Sequence, residues 1–159
     1  QYRDTAQLAY PMGMVFDAEE NLYVADSWNH RVRRIAAKDG KVITIVGTGN
    51  PGIKGSGGPA SQAELNHPTA LAFSPKGILY IADKKNQRIC YLAKDGTLKV
   101  LDIIDEAGRK PIILPESLAF DSQGHLLISN QATQQLQRIE LTEKSPLVLK
   151  TIAGMGYLP

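Results

Sequence analysis

The sequence predicts an all-β fold of three four-stranded blades, and three observations carry that expectation. One segment recurs three times, every phenylalanine of the chain falls at one place in it, and its apolar residues alternate with a period of two. The stretch from Pro11 through Phe16 and Leu22 to Asp26 aligns without a gap to Pro68 through Phe73 and Leu79 to Asp83. A third copy runs from Pro115 through Phe120 and Leu126 to Asn130. Phe16, Phe73 and Phe120 each stand five residues after the proline of their copy.

Each copy supplies four strands in order. In the first strand, Met14 and Phe16, Leu71 and Phe73, and Leu118 and Phe120 share one face, while Val15, Ala72 and Ala119 take the other. Those smaller residues suit a crowded strand where blades converge on an axis. A turn follows at Glu20-Asn21, Lys76-Gly77 or Gln123-Gly124, and then a second strand, 22–25, 79–82 or 126–129. The third strands are 31–35, 88–92 and 136–139, the first two closed by the hairpin turns Lys38-Asp39-Gly40 and Lys94-Asp95-Gly96. The fourth are 42–46, 98–101 and 147–152. Four short antiparallel strands per repeat make a propeller blade, so the chain is expected to hold blade 1 at about 11–47, blade 2 at about 68–102 and blade 3 at about 115–154.

Composition excludes several function classes. The chain has 159 residues, 43% hydrophobic and 21% charged, which is the composition of a folded domain. Its formal net charge of +2 gives no electrostatic reason to expect nucleic acid or an anionic membrane. The densest basic cluster, His30 with Arg31, Arg33 and Arg34, alternates with apolar residues and reads as a strand with one solvated face. No run approaches the roughly 18 apolar residues of a membrane span. The start at Gln1 is neither a signal peptide nor an initiator, so the chain is expected to derive from something longer. Cys90 is alone, which rules out an internal disulfide, and its apolar neighbours predict a buried, inert thiol.

The pattern of proline, Phe16-Asp17, Leu22-Tyr-Val-Ala-Asp26 and Asn29-His30-Arg31-Val32 resembles the NHL-repeat family. Asn86-Gln87-Arg88-Ile89 resembles it nearly as well, whereas copy three has Asn130, Thr133 and Gln135 in place of Asp, Asn and Arg. Asp26, Asn29 and Arg31, with Asp83, Asn86 and Arg88, are read as a structural network closing the corner between the second and third strands. All three positions are neutral in copy three, the Asp and Arg changing together because losing one charged partner strands the other. Residues 47–67, rich in glycine, look like the connection of bacterial and teneurin-like NHL propellers. A short helical turn from Ala60 to Leu65 is expected to bring Leu65 onto the core. The glycines do not form a dinucleotide-binding loop, since no βαβ unit surrounds them. Copies two and three are joined by a shorter link, Asp102 to Leu114, with Asp105, Glu106, Arg109 and Lys110 expected at the surface.

The resemblance implies a β-propeller, and three blades would be an incomplete one, part of a six-bladed or similar ring. Ala6 to Pro11 matches Ala63 to Pro68, and Thr151 to Gly156 matches Thr44 to Gly49, so the sequence is expected to begin and end within the same kind of connection. Three blades leave two apolar faces that a soluble monomer rarely tolerates. The expected cover is further blades of a longer parent, or else a second copy closing a two-by-three ring.

Chemistry is sparse. No nucleophile with its base is discernible, and the adjacent carboxylates Glu19-Glu20 and Asp105-Glu106 point apart in an extended strand. His30, His67 and His125 hold unrelated repeat positions, and no metal or cofactor is expected. Trp28, the single tryptophan, stands where the other copies have Lys85 and Ala132 and is a candidate ligand contact, with Tyr10, Arg33 and Arg34 as companions. A non-catalytic scaffold for protein or glycan is therefore the reading, in a secreted, periplasmic or cell-surface setting implied by the resemblance. The alternatives are a copper- or zinc-dependent lyase-like propeller and an RNA-binding propeller.

Overall fold

The structure, a computed structural model, describes residues 6–154. The expected resemblance of Met155 and Gly156 to the start of a connection lies outside the described residues, as does the start at Gln1. Blade 1 is β1 (Pro11–Phe16), β2 (Leu22–Asp26), β3 (Arg31–Ile35) and β4 (Val42–Val46), antiparallel and in that spatial order. Blade 2 repeats it with β5 (Pro68–Phe73), β6 (Leu79–Asp83), β7 (Arg88–Leu92) and β8 (Leu98–Val100). Blade 3 has five strands. It orders β10 (Pro115–Phe120), β11 (Leu126–Asn130), β12 (Gln135–Ile139) and β13 (Leu147–Ala153), and then β9 (Ile103–Asp105), parallel to β13.

Strand β9 corrects the reading of Asp102 to Leu114 as a plain link. Ile103 is buried, and the outer edge of β13 offers unpaired backbone groups that this segment takes up, beginning with Leu147 N–H donating to Asp102 O at 2.7 Å. Asp105 is accordingly only half-exposed, while Glu106, Arg109 and Lys110 face solvent. The glycine-rich connection does the same for blade 2. Gly57 N–H donates to Leu98 O at 2.7 Å and Leu98 N–H to Gly58 O at 3.0 Å. Each connection thereby caps an edge that would otherwise invite strand addition.

The period-two pattern sorts each blade into a large face and a small face. Leu71, Phe73, Leu79, Ile81 and Cys90 face blade 1, while Ala70, Ala72, Tyr80 and Ala82 face blade 3. Phe73 meets Tyr23 edge-on at 5.0 Å, and Phe120 meets Tyr80 in the same manner at 5.2 Å. The inner strands approach so closely that a Cβ at Gly13 would lie 2.6 Å from the Ala70 Cα. The expected helical turn covers only Ala60–Gln62, with Ala63 already extended, and Leu65 beyond it is fully buried between blades 1 and 2. Cys90 is buried there too, and burial pushes its thiol up to about 12. The outermost faces have no neighbour among the described residues: Met14 and Phe16 are 64% and 63% exposed on blade 1, and Leu136 is exposed on blade 3.

Candidate functional site

At the end of each blade where its first strand begins and its second ends, a tight corner leads into the third strand, a one-turn 3-10 segment in blades 1 and 2 and a turn at 131–134 in blade 3. In blade 1 it is Ser27–Asn29, closed by His30 in the left-handed region at φ 51°, whose N–H donates to Ser27 O at 3.1 Å. Gln87 and Gln134 take the same backbone conformation. The motif's histidine position is thus a backbone requirement, and Asn or His tolerates it better than most residues. Gly47 then passes so near this corner that a Cβ on it would sit 2.6 Å from His30 O.

The polar trio clamps the preceding connection onto the blade. Buried Asp83 accepts Asn66 N–H at 2.6 Å, the Asn86 amide at 2.8 Å and Arg88 Nε at 2.7 Å. Arg88 then reaches Ser56 Oγ at 2.9 Å, Glu64 O at 2.9 Å and Ile53 O at 3.2 Å, which pins the glycine-rich connection. Burial raises the Asp83 carboxyl above its ordinary range, opposed by these donors. In blade 1, Asp26 accepts Ala9 N–H at 2.8 Å and the Asn29 amide at 2.9 Å. Two arginines pair with it: Arg33 Nε hydrogen-bonds it at 3.2 Å, and Arg31 Nε forms the expected ion pair at 3.5 Å, buried and without a hydrogen-bond partner.

That geometry corrects the reading of Arg33 as a solvated-face residue open to a ligand. It is buried, and its guanidinium also donates to Thr44 Oγ1 at 2.8 Å. Position 33 points to the same face as the buried carboxylate on the adjoining strand, and a charged Asp26 draws it in. Arg34, on the opposite face, is half-buried beside Tyr23. Blade 3 rebuilds the corner from amides: Asn130 accepts Leu114 N–H at 2.9 Å and donates to Gln137 Oε1 at 2.9 Å, and Gln137 donates to Gln135 Oε1 at 3.2 Å. Gln137 occupies the place of Arg33, a position that alignment on the motif alone does not single out.

Near the blade 1 corner four rings gather. Tyr10 and Trp28 stack at 5.5 Å with 27° between planes, and both are 62% exposed. His30 and His67 meet edge-on at 4.7 Å, and His67 N–H donates to His30 Nδ1 at 3.2 Å. These histidines hold unrelated repeat positions in the sequence, and the contact between blades 1 and 2 joins them. Burial first, and then the Lys85 ammonium, hold both imidazoles below their ordinary value of 6.5. His125 is elsewhere, paired with Asp121 at 2.7 Å across a hairpin turn. Among the described residues, no three His, Cys, Asp or Glu side chains are grouped as a metal site would need.

Fold and corners together define a protein of β-propeller blades, and comparison with known proteins assigns the family. Residues 8–35 match the NHL repeat. NHL repeat-containing protein 2 of Homo sapiens is 31% identical over 130 residues, covering 80% of this chain and 16% of that protein. Protein SUPPRESSOR OF QUENCHING 1, chloroplastic, of Arabidopsis thaliana is 33% identical over 85 residues, covering 54% of this chain and 8% of that one. The chain belongs to the NHL-repeat family. It spans only a small part of these relatives. Solved structures with the same fold include virginiamycin B lyase from Staphylococcus aureus, with TM-score 0.65 and 13% identity, covering 91% of this chain and 42% of that one. A gluconolactonase from Xanthomonas campestris gives 0.68 and 16%, covering 92% and 48%.

Proposed function

We propose that the protein is a non-catalytic propeller scaffold that binds a protein or glycan through the rim carrying Tyr10 and Trp28. The stacked, exposed pair supports this most directly. Two large rings held together in solvent offer a preorganised apolar platform with polar edges, at a place where the other blades carry no aromatic pair. Arg34 does not join the platform, and Arg33 is committed to the corner. Trp28 fluorescence tests the reading, since it is the single tryptophan. A ligand from a glycan or peptide panel should quench or shift it saturably, and Trp28→Ala should weaken that ligand at least tenfold. A ligand that binds the Trp28→Ala variant equally well would sink the proposal.

The open blade faces support membership of a larger ring, in a longer secreted or surface protein. Phe16 stands where Phe73 and Phe120 find a tyrosine of the preceding blade, and Leu127 of blade 3 takes the place of Tyr23 and Tyr80. Burying exposed apolar surface of this size contributes about 25 cal/mol per Å², which favours closure by further blades. Those blades come from the same polypeptide in this reading. The solution mass of the 159-residue protein separates the sources, and a discrete dimer abolished by Phe16→Glu would assign the cover to a second copy instead.

A metal-dependent, lyase-like propeller is the second reading, and the His30–His67 contact favours it. It requires a further ligand that converges on the pair. Zinc or copper titration with His30→Ala as the control decides it, and equal binding by both proteins would exclude these histidines.

A further inference from the structure

The connection to blade 2 spans 47–67 and roofs its corner, burying Ala60, Ala63 and Leu65 and surrounding the Arg88 guanidinium with peptide oxygens. The connection to blade 3 is shorter. It runs along β13 as β9, turns back where Asp105 N–H donates to Arg109 O at 2.8 Å, and returns without crossing Gln135, which stands in the place of Arg88. The space a longer connection would fill is open, as a cavity of about 630 Å³ walled by Thr133, Gln135, Gln137, Thr151 and Ile112. That is within the range of sites that enclose a ligand, roughly 300 to 1,000 Å³.

The inner wall, Thr133, Gln135, Gln137 and Thr151, selects a hydrogen-bonding occupant. Glutamine amides and threonine hydroxyls both donate and accept, and none carries a charge. The rim is charged, by Asp105, Glu106, Arg109 and Lys110; Arg109 pairs with Asp105 at 2.8 Å and Lys110 with Asp102, and Glu106 faces solvent. Thr133 Oγ1 is buried in this wall without a hydrogen-bond partner among the described residues. It stands in the place of Asn86, whose amide donates to Gly52 O at 2.7 Å and so grips the longer connection. An unpaired buried hydroxyl at that place marks a corner whose hydrogen bonding is incomplete. No aromatic ring lines the cavity to carry the apolar face of a sugar.

We propose that this cleft on blade 3 binds an extended peptide segment of another polypeptide, which lies over Gln135 as residues 53–64 lie over Arg88. The occupant offers backbone C=O groups to the amides and backbone N–H groups to their oxygens. The site is separate from the Tyr10–Trp28 rim, so either can fail without the other.

The test uses the 159-residue protein, labelled with nitrogen-15, and a synthetic peptide copying residues 50–66 of this sequence, with a scrambled peptide as control. Saturable shifts of the Gln135 and Gln137 side-chain amide signals, with the Trp28 indole signal unmoved, are expected. Gln135→Ala should weaken the peptide at least fivefold, and Thr151→Val provides a second variant on the same wall should the first disturb folding. Shifts absent at millimolar peptide, shared by the scrambled peptide, or unchanged in both variants would overturn the proposal. Cellobiose moving these amides where the peptide does not would also overturn it, in favour of a sugar site.

Discussion

Blades 2 and 3 close the same corner by different means. In blade 2 a buried carboxylate, Asp83, is balanced by Arg88, and that arginine needs three further oxygens, which the long connection provides. In blade 3 the carboxylate is replaced by Asn130, its partner is Gln137 from two residues further along the third strand, and the connection is short. A buried charge carries obligations that a buried amide does not, because its desolvation must be met by a counter-charge and by hydrogen bonds together. Charge at the corner and length of the connection therefore change together. The loop over blade 2 is part of its ion pair.

Removing the carboxylate should have the largest effect. Asp83→Ala leaves Arg88 Nε and the Asn66 N–H without their acceptor and the buried guanidinium without its counter-charge, and a loss of about 3–5 kcal/mol is expected in urea unfolding. Asn130→Ala should cost only about 1–3 kcal/mol, the penalty of unmet neutral groups. Equal losses would break the distinction between the corners.

Blade 3 should also accept the blade 1 solution. Asn130→Asp alone strands a carboxylate, whereas adding Gln137→Arg recreates the Asp26–Arg33 pairing. A double-mutant cycle should return a favourable coupling of about 1–3 kcal/mol, and a coupling near zero would show that the charged corner cannot form without its longer connection.

Acid should act on the blade 2 corner and not on its blade 3 equivalent. His30 and His67 have depressed values in the fold, so below 6.5 the unfolded state takes up protons that the folded state does not, and stability falls as pH falls. Protonating His30 also removes the Nδ1 acceptor of His67 N–H. The charges facing the pair are Lys85 and Asp83, and blade 3 has Leu114 and Ala132 in the places of His67 and Lys85. Thermal midpoints between pH 7.5 and 5.5 should drop in the native protein and flatten in His30→Asn. The smallest effect is a gain: Gln87→Gly, at φ 55°, relieves a left-handed backbone and should add about 0.5–1 kcal/mol to the unfolding free energy.

The strands were legible in the sequence because alternation with a period of two, prolines at strand starts and a threefold repeat are all local signals. Phe73 and Phe120 could be assigned to a packed face from that pattern, and Leu65 to the core from its turn. The corner partners were legible only in part. Arg88 follows from the motif, but Arg33 and Gln137 act from two residues further along the third strand, where only the tilt of their side chains toward the neighbouring strand brings them to the carboxylate or amide.

The set of blades, the charged trio and its neutral replacement are all written in the sequence, since each is a property of residues near one another in the polypeptide. Three features belong to the tertiary structure instead: that His30 meets His67, that β9 joins blade 3, and that a cavity opens beside Gln135. Each depends on how one blade or connection comes to rest against another. Packing sets that distance, and no local pattern encodes it.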